Sequence, residues 1–480
     1  MNTKMIRYIL CRMLGVEAVL LMIPAIVAAL YQEMSGIAFL IPAGILLLLF
    51  FLAGVKKPEQ SHIYGKEGMV IVALAWILWS LFGAMPFTIS GFIPNYMDAF
   101  FETVSGFTTT GSSILRDVEA LPQCLLFWRS LTHWIGGMGV LVFVLVLTSL
   151  DKKNSMYLMR AEVPGPEKDK LVPKAMSTAR ILYGMYLIMT VVEIIFLMLG
   201  GVNLFDSMIF SFGSAGTGGF SNADSVAHFH SAYIDGVITT FCALFGVNFS
   251  LFYFMLLGDF KSVRKNEELR TYIMLIVGAT ALITLNIHSM FPSMIKAFRY
   301  AIFQVVTVIT TTGYATTDFA KWPMFSKSIL MMLTVVGACA SSTGGGIKVS
   351  RLLVGIKCVK REIVQLAHPK SVGIIRIGGK KVGSDILRTI YIYFIAYVGI
   401  LIVSVVLVSL DNFDFETTFS AVLTTLGNVG PGMAKVGPMG NFADFSILSK
   451  LVLCFDMLAG RLEIFPFLVL FTAPAWRRKF

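Results

Sequence analysis

Long apolar runs, broken at intervals by short polar and basic stretches, dominate the chain. A helix crossing the hydrocarbon of a bilayer needs about 20 mostly apolar residues. Runs of that kind fall near 8–30, 36–54, 68–90, 124–149, 180–201, 236–257, 271–289, 327–347, 389–409 and 448–473. Ten spans put both ends on one side of the membrane. A different pattern fills the connections between spans three and four, five and six, seven and eight, and nine and ten. Each opens with a semi-apolar stretch of about twelve residues, too short to span, and then reaches a knot rich in Thr and Gly or in Asn and Gly.

The knots are Thr109-Thr110-Gly111, Thr217-Gly218-Gly219, Thr311-Thr312-Gly313 and Asn428-Val429-Gly430. Their register repeats. Asp98 lies thirteen residues before Gly111, and Asp206 thirteen before Gly219. Asp224 and Asp318 each follow their glycine by five. The knot glycines are 108, 94 and 117 residues apart. A single Gly/Thr loop is unremarkable, but four in matching registers between paired spans indicate an internal repeat. Each unit reads span, half-helix, knot, span. The units run 61–160, 161–262, 263–360 and 361–480, after an N-terminal helix pair over 1–60. The predicted class is an all-α integral membrane protein, with ten transmembrane helices, four re-entrant pore loops and pseudo-fourfold repeats.

Composition agrees with a lipid solvent. Apolar residues make up 56% of the 480 and charged residues 14%, where soluble domains carry roughly a quarter. The net charge of +11 follows the loops. With the N-terminus inside, the inner segments hold 30 of the 39 Lys and Arg, which fixes both termini in the cytoplasm. That bias accounts for the charge without nucleic acid. The six cysteines are widely spaced, with neither metal-site nor disulfide-framework spacing. The Gly-Gly-Lys of 378–380 lacks the spacing of a phosphate-binding loop. Nothing points to an enzyme or to a cofactor in this chain.

The chemistry lies in the knots. Non-helical backbone is tolerated at membrane depth only where protein buries it or water lines it. A half-helix followed by a Gly-containing segment therefore predicts a re-entrant loop. Glycine gives that loop conformations other residues avoid. Four loops around one axis make a ring of carbonyl oxygens able to replace the hydration shell of a cation. The half-helix C-termini, partially negative, favour the cation there.

Charges inside spans are functional candidates. Arg461, in the last span, is either a positive barrier in a cation path or a structural partner of Asp456 or Glu463. Three consecutive glycines, Gly344, Gly345 and Gly346, break the helical pattern of 337–348, since each costs about 1 kcal/mol against Ala. The run is either a kink or an intramembrane loop under the filter, with Lys348 at its cytoplasmic end. Glu17 and Glu193 read as interhelical hydrogen-bonding groups, and His133 as a packed side chain. Asp98, Asp117, Glu119, Asp206, Asp224 and Asp318 form an acidic outer rim.

The motifs SGFTTTGSS (105–113), WIGGMG (134–139), AEVPGPEKDKL (161–171), SAGTGGFSNAD (214–224), TTTGYATTD (310–318), ASSTGGGIK (340–348), GNVGPG (427–432) and AGRLE (459–463) resemble the Trk/Ktr family of bacterial potassium-uptake subunits. The two extra N-terminal spans favour the Trk branch. The resemblance implies a tetrameric potassium channel fused into one chain. Its filter would use backbone oxygens of Thr109, Thr110, Thr217, Gly218, Thr311, Thr312, Asn428 and Val429, with potassium as the transported substrate. Glycine at all four knots favours potassium over sodium, while Asn428 and Val429 depart from the threonines of the other loops. The resemblance also favours Arg461 as barrier and 337–348 as gating loop. It further implies a homodimer in the inner membrane and a cytoplasmic, nucleotide-binding regulatory subunit of Trk type, for which the basic segments 151–178 and 351–388 are the expected docking surface. The alternative is a proton- or sodium-coupled symporter, with Glu463 or Asp456 as the coupling carboxylate.

Overall fold

A computed structural model describes residues 1–59, 63–139, 175–223, 225–371 and 373–476. The chain is helical almost throughout. Among the described residues one short hairpin pairs Arg376–Ile377 with Lys380–Lys381. Among the described residues six helices are long and apolar enough to cross a membrane: Thr3–Leu30, Met34–Gly54, Gly65–Ile89, Arg180–Leu199, Glu267–Met290 and Ser384–Asp411. Ala232–Phe245 and Phe249–Leu256 together make a seventh, bent by 93°. The outer helices expose Leu, Ile, Val and Met, among them Met274, Val277, Leu282, Ile395 and Ile402. Such surfaces suit hydrocarbon and identify a multi-pass membrane protein.

Four shorter helices stand inside this set: α1 (Tyr96–Phe107), α2 (Leu204–Gly216), α3 (Met294–Ile309) and α4 (Phe415–Leu426). Each starts on a polar side chain that accepts a hydrogen bond from its first turn: Asn95 from Met97, Asn203 from Asp206, Ser293 from Lys296 and Asp414 from Thr417. Such caps satisfy amides that have no intrahelical acceptor. The helix after each knot is α5 (Gln123–Gly137), α6 (Ala232–Phe245), α7 (Met324–Val336) or α8 (Ile447–Arg461). Packing is cyclic. The helix α1 packs against α5 and α8, α2 against α6 and α5, α3 against α7 and α6, and α4 against α8 and α7.

The second helices are shorter than the apolar runs that contain them. The sixth run breaks at Gly246–Asn248, where the Asn248 side chain caps a new helix. The eighth stops at Gly337, with φ at +71°. The tenth stops at Arg461, followed by positive φ at Glu463 and Ile464. Of the fourth, 123–137 is helical and 140–149 lies outside the described residues. Hydropathy measures transfer into lipid, not continuity of the helix, so it does not show these breaks; only in the eighth run did the glycines of 344–346 mark one. The inner segment 348–388 also holds more structure than its polarity suggests, namely a helix over Val349–Ala367 and the hairpin.

Glycines bring the end of α5 against two knots. A methyl on Gly136 would stand 1.9 Å from the carbonyl oxygen of Phe107, and one on Gly137 would stand 2.6 Å from Cα of Gly216. Backbone cannot yield there. Gly136→Ala is expected to cost about 1–3 kcal/mol through overpacking, read as a lower thermal midpoint of the detergent-extracted protein. Gly184→Ala, where a methyl meets nothing within 4 Å, is the matched control and should leave the midpoint unchanged.

Candidate functional site

The four knots share one backbone conformation. After each short helix the chain makes the same pair of closing bonds. Thr109, Thr217, Thr311 and Asn428 donate their N–H to Gly106, Ser214, Val308 and Thr425. The next residues, Thr110, Gly218, Thr312 and Val429, donate to Ser105, Gly213, Thr307 and Thr424. This is a helix end closed by a left-handed residue. φ is +54° at Thr109, +53° at Thr217, +61° at Thr311 and +54° at Asn428. It is positive again at Gly111, Gly219, Gly313 and Gly430 and not at the residue between. Alternating the sign of φ turns successive peptide planes the same way. Asn428, which departs from threonine in sequence, keeps the conformation, because Asn tolerates the left-handed region better than most residues.

The knots close a ring. A methyl on Gly111 would lie 2.0 Å from the Gly218 oxygen, on Gly219 2.0 Å from the Thr312 oxygen, on Gly313 2.2 Å from the Val429 oxygen, and on Gly430 2.6 Å from the Thr110 oxygen. Each glycine thus faces the carbonyl that precedes the next glycine, through four steps and back to the first. Only a residue without Cβ permits this approach. Threonine side chains turn away to bond locally: Thr110 Oγ1 pairs with Thr108 at 2.8 Å, and Thr312 Oγ1 with Thr310 at 2.9 Å. Asn428 Nδ2 donates to Thr110 Oγ1 at 3.0 Å and to the Met457 carbonyl at 2.9 Å. Beyond the glycines the four segments line a cavity of about 130 Å³, walled by Ser112, Phe220, Tyr314, Pro431 and Arg129 among others.

On the opposite side lies 337–348, which is irregular and mostly buried. Gly345 donates its N–H to Thr311 Oγ1 at 2.6 Å, and Gly346 to the Gly427 carbonyl at 3.0 Å. A methyl on Gly344 would stand 2.8 Å from the Thr310 oxygen. Lys348 is buried and folds its Nζ back onto the Gly344 carbonyl. Arg461 donates Nη1 to the Thr343 carbonyl at 2.7 Å, and Nη2 to Gly137 at 2.7 Å and to Gly136. The expected gate residues Gly344, Gly345, Gly346, Lys348 and Arg461 therefore meet beneath the ring. The two carboxylates near Arg461 in sequence are engaged elsewhere, Glu463 by Arg351 at 2.5 Å and Asp456 by Ser404 Oγ at 2.7 Å.

Several residues enter the site that sequence reasoning passed over. Glu268, at the start of Glu267–Ile287, accepts the N–H groups of Ala340 at 2.7 Å and Ser350 at 3.1 Å on one oxygen, holding both ends of the irregular segment. Glu102 and Arg129 form a buried ion pair at 2.6 Å beside the first knot. One signal was present: Glu102 and Gln304 each lie nine residues before their knot glycine. His133, read as packed, is buried; its Nδ1 lies 2.7 Å from the Gly106 carbonyl, and its ring lies against Gly218 and Phe220. Glu17 and Glu193 are fully buried, Glu193 beside Ser214.

The acidic rim is largely spoken for. Asp98 pairs with buried Lys450 at 2.6 Å, Asp318 with Lys321, and Asp206 accepts from Asn203 and Asn222. Asp117 accepts the Glu119 N–H. Asp224 lies outside the described residues, as do 151–174 of the expected docking loop. On the other docking segment, Lys357 pairs with Glu267 and Arg361 with Glu362. The helix Val349–Ala367 exposes Ile356, Val359, Ile363 and Leu366 at helical spacing.

Comparison with known proteins agrees with this architecture. The model of a family described as TrkH, cation transport protein, matches residues 39–477. The Trk system potassium uptake protein TrkH of Salmonella typhimurium is 36% identical over 465 residues, covering 95% of this chain and 96% of that protein. The Trk system potassium uptake protein TrkG of Escherichia coli is 31% identical, covering 99% and 100%. The crystal structure of the potassium transporter TrkH from Vibrio parahaemolyticus superposes with a TM-score of 0.89 at 31% identity, covering 99% of this chain and 100% of that one.

Proposed function

The chain belongs to the TrkH family of cation transport proteins, and from that membership we propose that it takes up potassium across the bacterial inner membrane through a channel-like pore. The ten-span, four-loop topology with both termini cytoplasmic belongs to this reading. The observation that carries it is the closed ring of four knots. Potassium sheds its water onto backbone oxygens of Thr109, Thr110, Thr217, Gly218, Thr311, Thr312, Asn428 and Val429. The C-terminal ends of α1 to α4 converge there, and their partial negative charge favours a cation. Arg461 and the 337–348 loop, drawn together beneath the ring, form the closed gate.

Channel-like passage is favoured over coupled symport. The suspected coupling carboxylates are held by Arg351 and Ser404. An always-open path would dissipate the membrane gradient, so a partner must bias the gate between two states. In this proposal a cytoplasmic nucleotide-binding subunit docks on 151–178 and 351–388 of a homodimer and supplies that bias.

Three measurements in lipid vesicles test the scheme. Gly111→Ser places a side chain against the Gly218 carbonyl and is expected to raise sodium relative to potassium permeation; unchanged fluxes of both ions would remove the filter assignment. Arg461→Ala is expected to raise flux by withdrawing a positive charge from a low-dielectric path, as is deletion of several residues within 337–348; folded protein with unaltered or lower flux in both would count against the gate. Reversing charge at Lys357, Lys360 and Arg361 is expected to weaken co-purification with the regulatory subunit and nucleotide control of flux. Undiminished binding and control would sink the docking surface and leave the permease reading intact.

A further inference from the structure

A full ion pair stands at the outer exit of the ring, and the filter scheme assigns it no role. Glu102 lies on α1 and Arg129 on α5, both buried, with Arg129 Nε 2.6 Å from Glu102 Oε1. Both side chains make further hydrogen bonds. Glu102 also accepts Ser113 Oγ at 2.9 Å and the Ile114 N–H at 2.9 Å. Arg129 Nη1 donates to the Ser221 carbonyl at 2.9 Å and Nη2 to Ser113 Oγ at 3.2 Å. The guanidinium lies over the Phe220 ring, 3.8 Å from its centre.

These contacts join two repeats. Ser113 and Ile114 lead out of the first knot, two and three residues past Gly111. Phe220 and Ser221 lead out of the second, one and two past Gly219. The second exit is also held from its far side, where Tyr314 donates its hydroxyl to the Phe220 carbonyl at 3.1 Å. The exits of the third and fourth knots rest on neutral groups instead. Thr307 Oγ1 donates to the Tyr314 carbonyl at 2.9 Å, and Met433 donates its N–H to Ser420 Oγ at 2.9 Å. The only described charge lining the outer cavity beside a knot exit and buried is Arg129.

We propose that Glu102 and Arg129 are positioning residues for selectivity: a buried charged brace that fixes the spacing of the first and second filter exits and so sets how strongly the pore prefers potassium over sodium. This rests on the filter reading above. Selectivity depends on how closely the oxygens can follow the smaller ion. A planar guanidinium with its donors locked into a carboxylate, a hydroxyl and a carbonyl resists that movement more than a neutral side chain does. The pair also keeps Arg129 electrically silent. Without Glu102, its charge would face the cation path uncompensated.

The test is the potassium-to-sodium permeability ratio, taken from reversal potentials of the full-length protein in lipid vesicles under opposed gradients. Arg129→Gln is expected to lower the ratio by about tenfold, since it deletes a charge-assisted brace. Glu102→Gln is expected to lower it too and also to depress total cation flux, because the orphaned guanidinium repels cations. The double variant should be no worse in ratio than the poorer single, the mark of one coupled unit. Arg129→Lys, with charge but no fork, should recover the ratio only in part. Should Arg129→Gln fail to fold, Ser113→Ala removes the hub of the network with the ion pair intact and is expected to lower the ratio in the same direction. Ratios within about twofold of wild type in all folded variants, with flux merely reduced, would overturn the proposal, because a stability role alone moves amount and not ratio. Gly111→Ser separates the two layers. If it shifts the ratio and the brace variants do not, the brace fails alone; if it too leaves the ratio unchanged, the filter reading falls.

Discussion

Peptide groups that leave a helix at membrane depth have no water to turn to, and that constraint organises this molecule. Four segments must hold bare carbonyls without exposing them to lipid. The chain meets this by giving all four the same left-handed helix end and then packing each against the backbone of the next. The contacts run in a cycle, so no knot can shift alone. The left-handed threonines are part of the arrangement. A non-glycine residue there costs about 1 kcal/mol or more, and it persists because the ring and the closing hydrogen bonds over-determine it.

The same constraint explains what lies beneath the ring. The second helices contain 15, 14, 13 and 15 residues, about 20 Å at 1.5 Å per residue. That is short of the hydrocarbon thickness of about 30 Å, and each end frees carbonyls inside the protein. The irregular 337–348 segment fills one gap, since Cys339 donates to the Gly246 carbonyl and Ser341 accepts from Phe249 across the break in the sixth run. Arg461 fills another through Gly136, Gly137 and Thr343. Both features of the proposed gate therefore also cap orphaned backbone. A gate built from such groups opens only if substitute partners, water among them, take over the freed carbonyls.

Much of this was legible in the sequence, and the illegible part has a common cause. The knots announced themselves because Gly, Thr and the paired aspartates recur in register, and the short helices because a semi-apolar stretch too short to span precedes each knot. The end of α7 was marked by the glycines of 344–346, but that of α6 was hidden, since 249–257 stays almost wholly apolar beyond the break. Arg461 was misleading locally: its neighbours Asp456 and Glu463 suggested partners, whereas Glu463 lies beyond the helix end and pairs with Arg351, and Asp456 bonds Ser404. The observed acceptors of Arg461 lie 118 and 324 or more positions away. Glu102 and Arg129 pair across 27 residues on two helices, a distance no periodicity reports. Asn428 looked like a departure in sequence and is none in conformation.

Fusing four repeats into one chain changes what charge can do near an axis. In a homotetramer any ionised side chain at this depth appears four times. Four guanidinium groups around one path would repel one another and the cation together, and at low effective dielectric each pair within several ångströms costs several kcal/mol. Here the positions differ. The fourth of the helices that follow the knots ends on Arg461, where the second and third end on the uncharged Phe245 and Val336. One positive charge, shared among carbonyls of two other repeats and lying over the Trp76 ring, is what the proposed gate sets against a cation. The ion pair of the first repeat follows the same logic on the outer side, where a single neutralised charge contacts the exits of two knots at once. Broken symmetry is thus what lets single charged groups stand beside a ring whose four knots share one backbone conformation.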